Sequence, residues 1–129
     1  EQQSVVEYAL PQQYLYEPNP AILKAGAFRS FASRYGLQKL QQHTHLYTST
    51  AFVPGLPARS FAIEAVCKYE RKAVMACIPS GKANITTRNF PDNADVVRKK
   101  LGLADGGDHY VFALTDMEGK KVVVVGKKI

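Results

Sequence analysis

Apolar residues recur at steps of four along Leu23, Ala27, Phe31 and Tyr35, with Phe28 and Ala32 beside them. This spacing lays one apolar stripe along a helix. Asn19 is placed to cap its start, Pro20 suits the first helical position, and Gly36-Leu37 supplies the stop. A second helix is predicted over Ala94–Leu101, with Ala94, Val97 and Leu101 on its apolar face. Asp92 or Asn93 caps it and Gly102 closes it. Between the two helices the period changes from helical to alternating. Phe61, Ile63, Ala65 and Cys67 occupy every second position of 60–68, which is a strand pattern.

Other strands are predicted at 5–16 (interrupted by Pro11), at 45–53 and at KANITTRNF (82–90), rich in β-branched residues. Residues 110–114 and 120–125 form a final hairpin about the turn Asp116-Met117-Glu118-Gly119. YERKAVMACI (69–78) fits a short helix closed by Pro79-Ser80-Gly81, with a strand at VMACI as the alternative. The predicted order is β-α-β-β-α-β-α-β-β. Its first six elements match the split βαβ of a ferredoxin-like fold. The last four make a β-α-β-β unit sharing the strand near 82–88. We therefore expect an α+β fold in two units, residues 1–80 and 81–129, on a mixed, largely antiparallel sheet with helices on one face.

Composition narrows the function. The chain has 129 residues and a net charge of +6. Residues 1–81 hold 8 Lys/Arg against 5 Asp/Glu, and 82–129 hold 9 against 6, so the excess is spread evenly. A basic surface favours phosphate-rich partners, although many basic proteins bind no nucleic acid. Apolar runs such as Val122–Val125 are far short of a membrane span. The opening residues EQQSVVEYAL lack the basic start and long apolar stretch of a signal peptide. Cys67 and Cys77 lie among apolar neighbours and read as reduced core residues, consistent with a cytoplasmic protein. Because the chain starts at Glu1 rather than Met, we expect a piece of something longer.

No complete active site is readable. Phosphate-loop, dinucleotide, GxSxG and zinc-spacing patterns are absent. His43 and His45 fall on one side of a strand without an evident third metal ligand. Asp105 and Asp108 flank Gly106-Gly107, where a tight turn explains them better than a cation. The basic residues Lys82, Arg88, Arg98, Lys99, Lys100, Lys120 and Lys121 are the candidate phosphate contacts. Arg98, Lys99 and Lys100 also suit the C-terminal end of a helix dipole with no ligand at all. Phe90 and Tyr110 are candidates for stacking on bases, or core residues. Arg29 and Arg34 fall off the first helix's apolar face, and Arg59 is placed to hold a loop through carbonyls.

The runs YLYEPNPAILKAGAF, PARSF and KANITTRNFP…VRKKLGLADGGDHYVFALT…GKKVVVV resemble the C-terminal region of bacterial predicted S-adenosylmethionine-dependent methyltransferases. The resemblance extends from about Tyr14 to Lys128. Its most specific parts are Asn84–Phe90, Val97–Leu101 and Asp105–Tyr110. In that family a ferredoxin-like unit precedes a THUMP-like unit, and both follow the methyltransferase domain. The resemblance implies that residues 1–80, with an N-terminal interdomain segment, are the ferredoxin-like unit and 81–129 the THUMP-like unit. It implies no catalysis and no cofactor in this chain, with S-adenosylmethionine bound by an upstream domain. The implied partners are RNA (transfer or ribosomal) and the methyltransferase domain of the same chain, with no membrane. The alternative is a structural module docked on that domain without touching RNA, using the segment around Val5, Val6 and Tyr8.

Overall fold

The computed structural model describes residues 6–24 and 28–129, without the side chains of Phe28 and Arg29. The predicted strand residue Val5 and helix residue Ala27 lie outside the described residues. The order is β1 (Tyr14–Pro18), α1 (Pro20–Lys24), α2 (Phe28–Tyr35), β2 (Gln38–Gln41), β3 (Thr44–Ser49), β4 (Ala58–Lys68), α3 (Arg71–Met75), β5 (Lys82–Arg88), α4 (Ala94–Leu101), β6 (Ala104–Thr115) and β7 (Lys121–Lys128). The α+β class is as expected. All seven strands share one sheet in the order β2-β3-β1-β4-β7-β6-β5. Among the seven described strands only β5 and β6 pair in parallel, apart from an isolated parallel bridge of Tyr8 with Lys39, and α4 makes the crossover between them.

One predicted grouping is corrected. The ferredoxin-like order is built from β1, β2, β3 and β4, and β4 follows β3 with no helix between them. The strand β2 is absent from the sequence-based order. The unit predicted to end near residue 80 and the one after it share a continuous sheet, because β4 pairs both β1 and β7.

Paired residues share a side of the sheet, so register assigns the faces. Tyr16, Tyr47, Val111, Ala113, Val123 and Val125 are buried on one side. There they meet Phe31 and Ala32 of α2, Val74 of α3, and Val97 and Leu101 of α4. The described helices all pack on this face. Each terminus follows its sequence signal. Gly36 (φ 67°) and Gly102 (φ 71°) take the left-handed position, and Leu37 N–H reaches back to the Ala32 carbonyl at 2.9 Å. Asn93 rather than Asp92 caps α4, its side chain accepting from Val96 N–H at 3.0 Å.

The opposite face carries Leu15, Leu40, Leu46, Phe61, Phe112, Leu114 and Val124, all nearly inaccessible. No described helix covers them. The sheet instead curls on itself, so that β3 touches β5 although four strands separate them in the order. Side chains close the gap that backbone pairing leaves open. Thr44 Oγ1 donates to the Thr115 carbonyl at 2.7 Å, and Asn89 Nδ2 to Thr44 Oγ1 at 3.2 Å and Gln41 Oε1 at 3.1 Å. The molecule is a half-barrel, with helices outside and a second apolar core within the curl.

Candidate nucleic-acid interface

The seven basic residues singled out from the sequence do not converge. Lys82 opens β5 opposite Ala104, and the next pair, Ala83 with Asp105, places it beside the C-terminal end of α4. Arg98 reaches from that helix to Asp105 at 3.3 Å and to Asp95 at 2.8 Å, and these acids raise its already high pKa. Lys99 follows on the exposed side. These three occupy one end of the sheet. Lys121 pairs with Thr115 at the other end, beside Lys120, which meets Glu118 at 3.5 Å. Lys100 turns to Asp92 at 3.0 Å and covers the Tyr69 ring. The Lys100 ammonium, then the Tyr69 hydroxyl, hold Asp92 below its ordinary pKa. Burial, then the bond to Asp92, pushes Tyr69 up to about 12.

Arg88 has a different place. It pairs with Leu114 across β5 and β6, which directs it into the curl. Its Nη2 meets Glu17 Oε2 at 2.7 Å, and Arg59 Nε meets Glu17 Oε1 at 2.6 Å. The Glu17 side chain is 11% exposed, against 41% for Arg59 and 31% for Arg88. Arg59 therefore does not hold its loop through carbonyls as expected. It clamps the Glu17 carboxylate, and lies over the Phe61 and Tyr110 rings at 5.4 and 5.7 Å.

Arg34 lies over the Tyr35 ring. The candidate stacking residues are both engaged: Phe90 packs edge-on against Tyr69, and Tyr110 packs at a tilt against Phe61. His45 is half-buried, and burial first, then Lys39, His43 and Arg88, lowers its pKa. Among the described residues, no three His, Cys, Asp or Glu side chains stand together as a metal site.

Two contributors were missed in the sequence. Strand β7 runs on to Lys128 instead of stopping at Val125, pairing Lys127 with Ala62 and Lys128 with Phe61. With Gly107, Asp108 and Tyr110, these lysines line an open cleft of about 360 Å³ at the Lys82 end. The pattern Gly126-Lys127-Lys128 continues the strand, but a basic end without β-branched residues reads as a tail. Gly106 and Gly107 have φ of 107° and 76°, as a turn requires. Here the turn is a loop-out inside β6: Asp105 pairs with Ala83, whereas Tyr110 already pairs with Asn84. Asn84 Nδ2 fixes it through the carbonyls of Gly107 (3.0 Å) and His109 (3.2 Å). Lys82, Lys99 and Lys128 have no ion-pair partner among the described residues. That end therefore holds unpaired positive charge around a concave surface, which suits a phosphate backbone.

Comparison with known proteins finds the same two kinds of unit, with the division falling between β3 and β4. Residues 14–57 match the family described as a ferredoxin-like domain, and residues 58–128 the one described as THUMP domain-like. The solved structure of a "putative methyltransferase" from Porphyromonas gingivalis W83 is 36% identical, with a TM-score of 0.91 over 99% of this chain. This chain spans 32% of that one. No curated protein matches. The chain belongs to the THUMP domain-like family and carries a ferredoxin-like domain ahead of its THUMP-like domain.

Proposed function

We propose that this chain is a non-catalytic accessory module that positions RNA for a methyltransferase. The observation that carries the proposal is the basic end of the sheet: Lys127 and Lys128 line the Gly107–Tyr110 cleft, Lys82 lies against Gly107, and Arg98 and Lys99 stand at the same end on α4. Phosphate contacts of this kind give affinity and register without reading sequence, the division of labour expected when chemistry is done elsewhere. Lys100, Lys120 and Lys121 would meet a separate stretch of the RNA backbone. Arg88 serves the module through Glu17, by holding the curl.

The one parallel crossover among the described strands does not fit S-adenosylmethionine. The β5–α4–β6 crossover enters its helix through Phe90-Pro91-Asp92-Asn93, with no glycine to let a cofactor approach the backbone. Asp92 there is held by Tyr69 and Lys100. We assign the cofactor to the parent's methyltransferase domain. The test is fluorescence anisotropy with labelled transfer and ribosomal RNA fragments at low salt. Binding is expected, and combined Lys82→Glu, Lys99→Glu and Lys128→Glu should weaken it at least tenfold. Absence of binding, or affinity unchanged by the triple variant, contradicts the proposal.

One observation favours a docking role. Tyr8, Leu10 and Met117 are exposed apolar residues, and Tyr8 and Met117 line a cleft of about 230 Å³ with Gln41 and Gln42. A module that only docks would lose association with the methyltransferase domain on Tyr8→Ser and Met117→Ser, and neither form would bind RNA.

A further inference from the structure

Cys67 and Cys77 are far apart in secondary structure yet meet sulfur to sulfur at 3.7 Å, both as free thiols and both half-buried. Cys67 sits on β4 facing the helices, opposite Val123, and Cys77 lies in the turn that ends α3. Cys77 Sγ also lies 3.7 Å from the Ala73 carbonyl, which keeps its side chain turned toward the sheet. We propose that this pair is a modification site, closed to an internal disulfide by a low-molecular-weight disulfide such as oxidised glutathione. The Cys77 thiolate attacks glutathione disulfide, forming a mixed disulfide and expelling one glutathione thiolate. The Cys67 sulfur, giving up its proton, then attacks the Cys77 sulfur and expels the second glutathione. Two electrons and two protons pass from the cysteine pair to glutathione disulfide, yielding two glutathione thiols.

Cys67 is the second partner because burial, then the neighbouring Cys77 thiol, pushes its pKa up to about 11. Burial keeps it largely protonated at neutral pH, so closure is slow there and faster as pH rises. The bond would tie α3 to β4. Since Arg71 of α3 donates to the Lys99 and Lys100 carbonyls at the end of α4, both helices would be held more firmly.

The test equilibrates the folded chain with oxidised glutathione, alkylates the remaining thiols and weighs the product. The expected product has lost both alkylation sites, is lighter by two hydrogens and carries a Cys67–Cys77 cross-link. It reverts with dithiothreitol and melts about 10 °C higher than the reduced chain. C67S should stop at a single glutathione adduct on Cys77, and C77S should form its adduct far more slowly. Persistence of two alkylatable thiols, or a doubly glutathionylated chain without the cross-link, would overturn the proposal. A cross-link appearing only in denaturant would do the same.

Discussion

Glu17 sits on β1 with its carboxylate between Arg59 and Arg88, inside the curl of the sheet. A carboxylate withdrawn from water is tolerated only with charge partners and hydrogen bonds, and here each oxygen meets one guanidinium. Glu17→Gln leaves two arginines facing each other with no anion. Both are partly solvated, so the expected loss is about 1–3 kcal/mol rather than the full cost of breaking a buried pair. Arg88→Met leaves Arg59 on Glu17 and should lose less. Urea unfolding of the two variants checks the order, and an unaffected Glu17→Gln would remove the clamp from the account. The sequence exposed Arg88 as an odd charge on a strand. Its partner was hidden because Glu17 opens Glu17-Pro18-Asn19-Pro20, which reads locally as the start of a helix, and the two residues are 71 positions apart.

At the same scale, His45 gives a pH dependence. Its folded-state pKa is lowered from 6.5 by burial, Lys39, His43 and Arg88, so the unfolded chain takes up the proton first. Its contribution to stability is full above about pH 6.5 and lost as pH falls through the folded-state value. Thermal melts between about pH 7 and 5 should show a falling Tm, and His45→Gln should flatten that fall. An identical slope in the variant would assign the effect elsewhere.

Elements are held by their ends and by close approaches between strands. Asn93→Ala removes the cap of α4 and should cost about 1 kcal/mol in chemical denaturation. Gly126 is more demanding: a Cβ there would stand 2.5 Å from the Ala62 carbonyl oxygen, where β4 and β7 shift register between Ile63 and Ala65. Backbone on both sides cannot yield as a side chain would. Gly126→Ala should therefore cost about 2 kcal/mol or more, and a variant as stable as the parent would contradict the packing. The α4 cap and stop were legible because they are local chemistry. Strand β2 was not, since Gln38-Lys39-Leu40-Gln41 shows one apolar residue. It is a strand because β3 pairs it, and because Lys39 also exchanges backbone bonds with Glu7 and Ala9. The glycine turn was half legible: the positive φ follows from Gly106 and Gly107, whereas the strand continues through it because β7 pairs His109 with Lys127.

At the scale of the molecule, the charge excess was legible as a total but its distribution was not. Lys82 and Lys99 are 17 positions apart in the chain, and Lys128 comes 29 positions after Lys99. Only the parallel β5–β6 pair, the α4 crossover and the extended β7 bring them to one end. The opposite end holds Lys120 and Lys121, close to Glu118 and Asp92 respectively, and serves as an internal control. The most direct test of RNA positioning by this module is the salt dependence of structured-RNA binding. The unaltered chain should lose affinity with a log–log slope of roughly 3 to 4, as expected for about four phosphate contacts. Lys82→Glu, Lys99→Glu and Lys128→Glu together should flatten that slope by about 2 or more, and Lys120→Glu with Lys121→Glu should change it less. A slope near zero for the unaltered chain, or one equally affected by either set, would contradict an RNA surface at the Lys82 end.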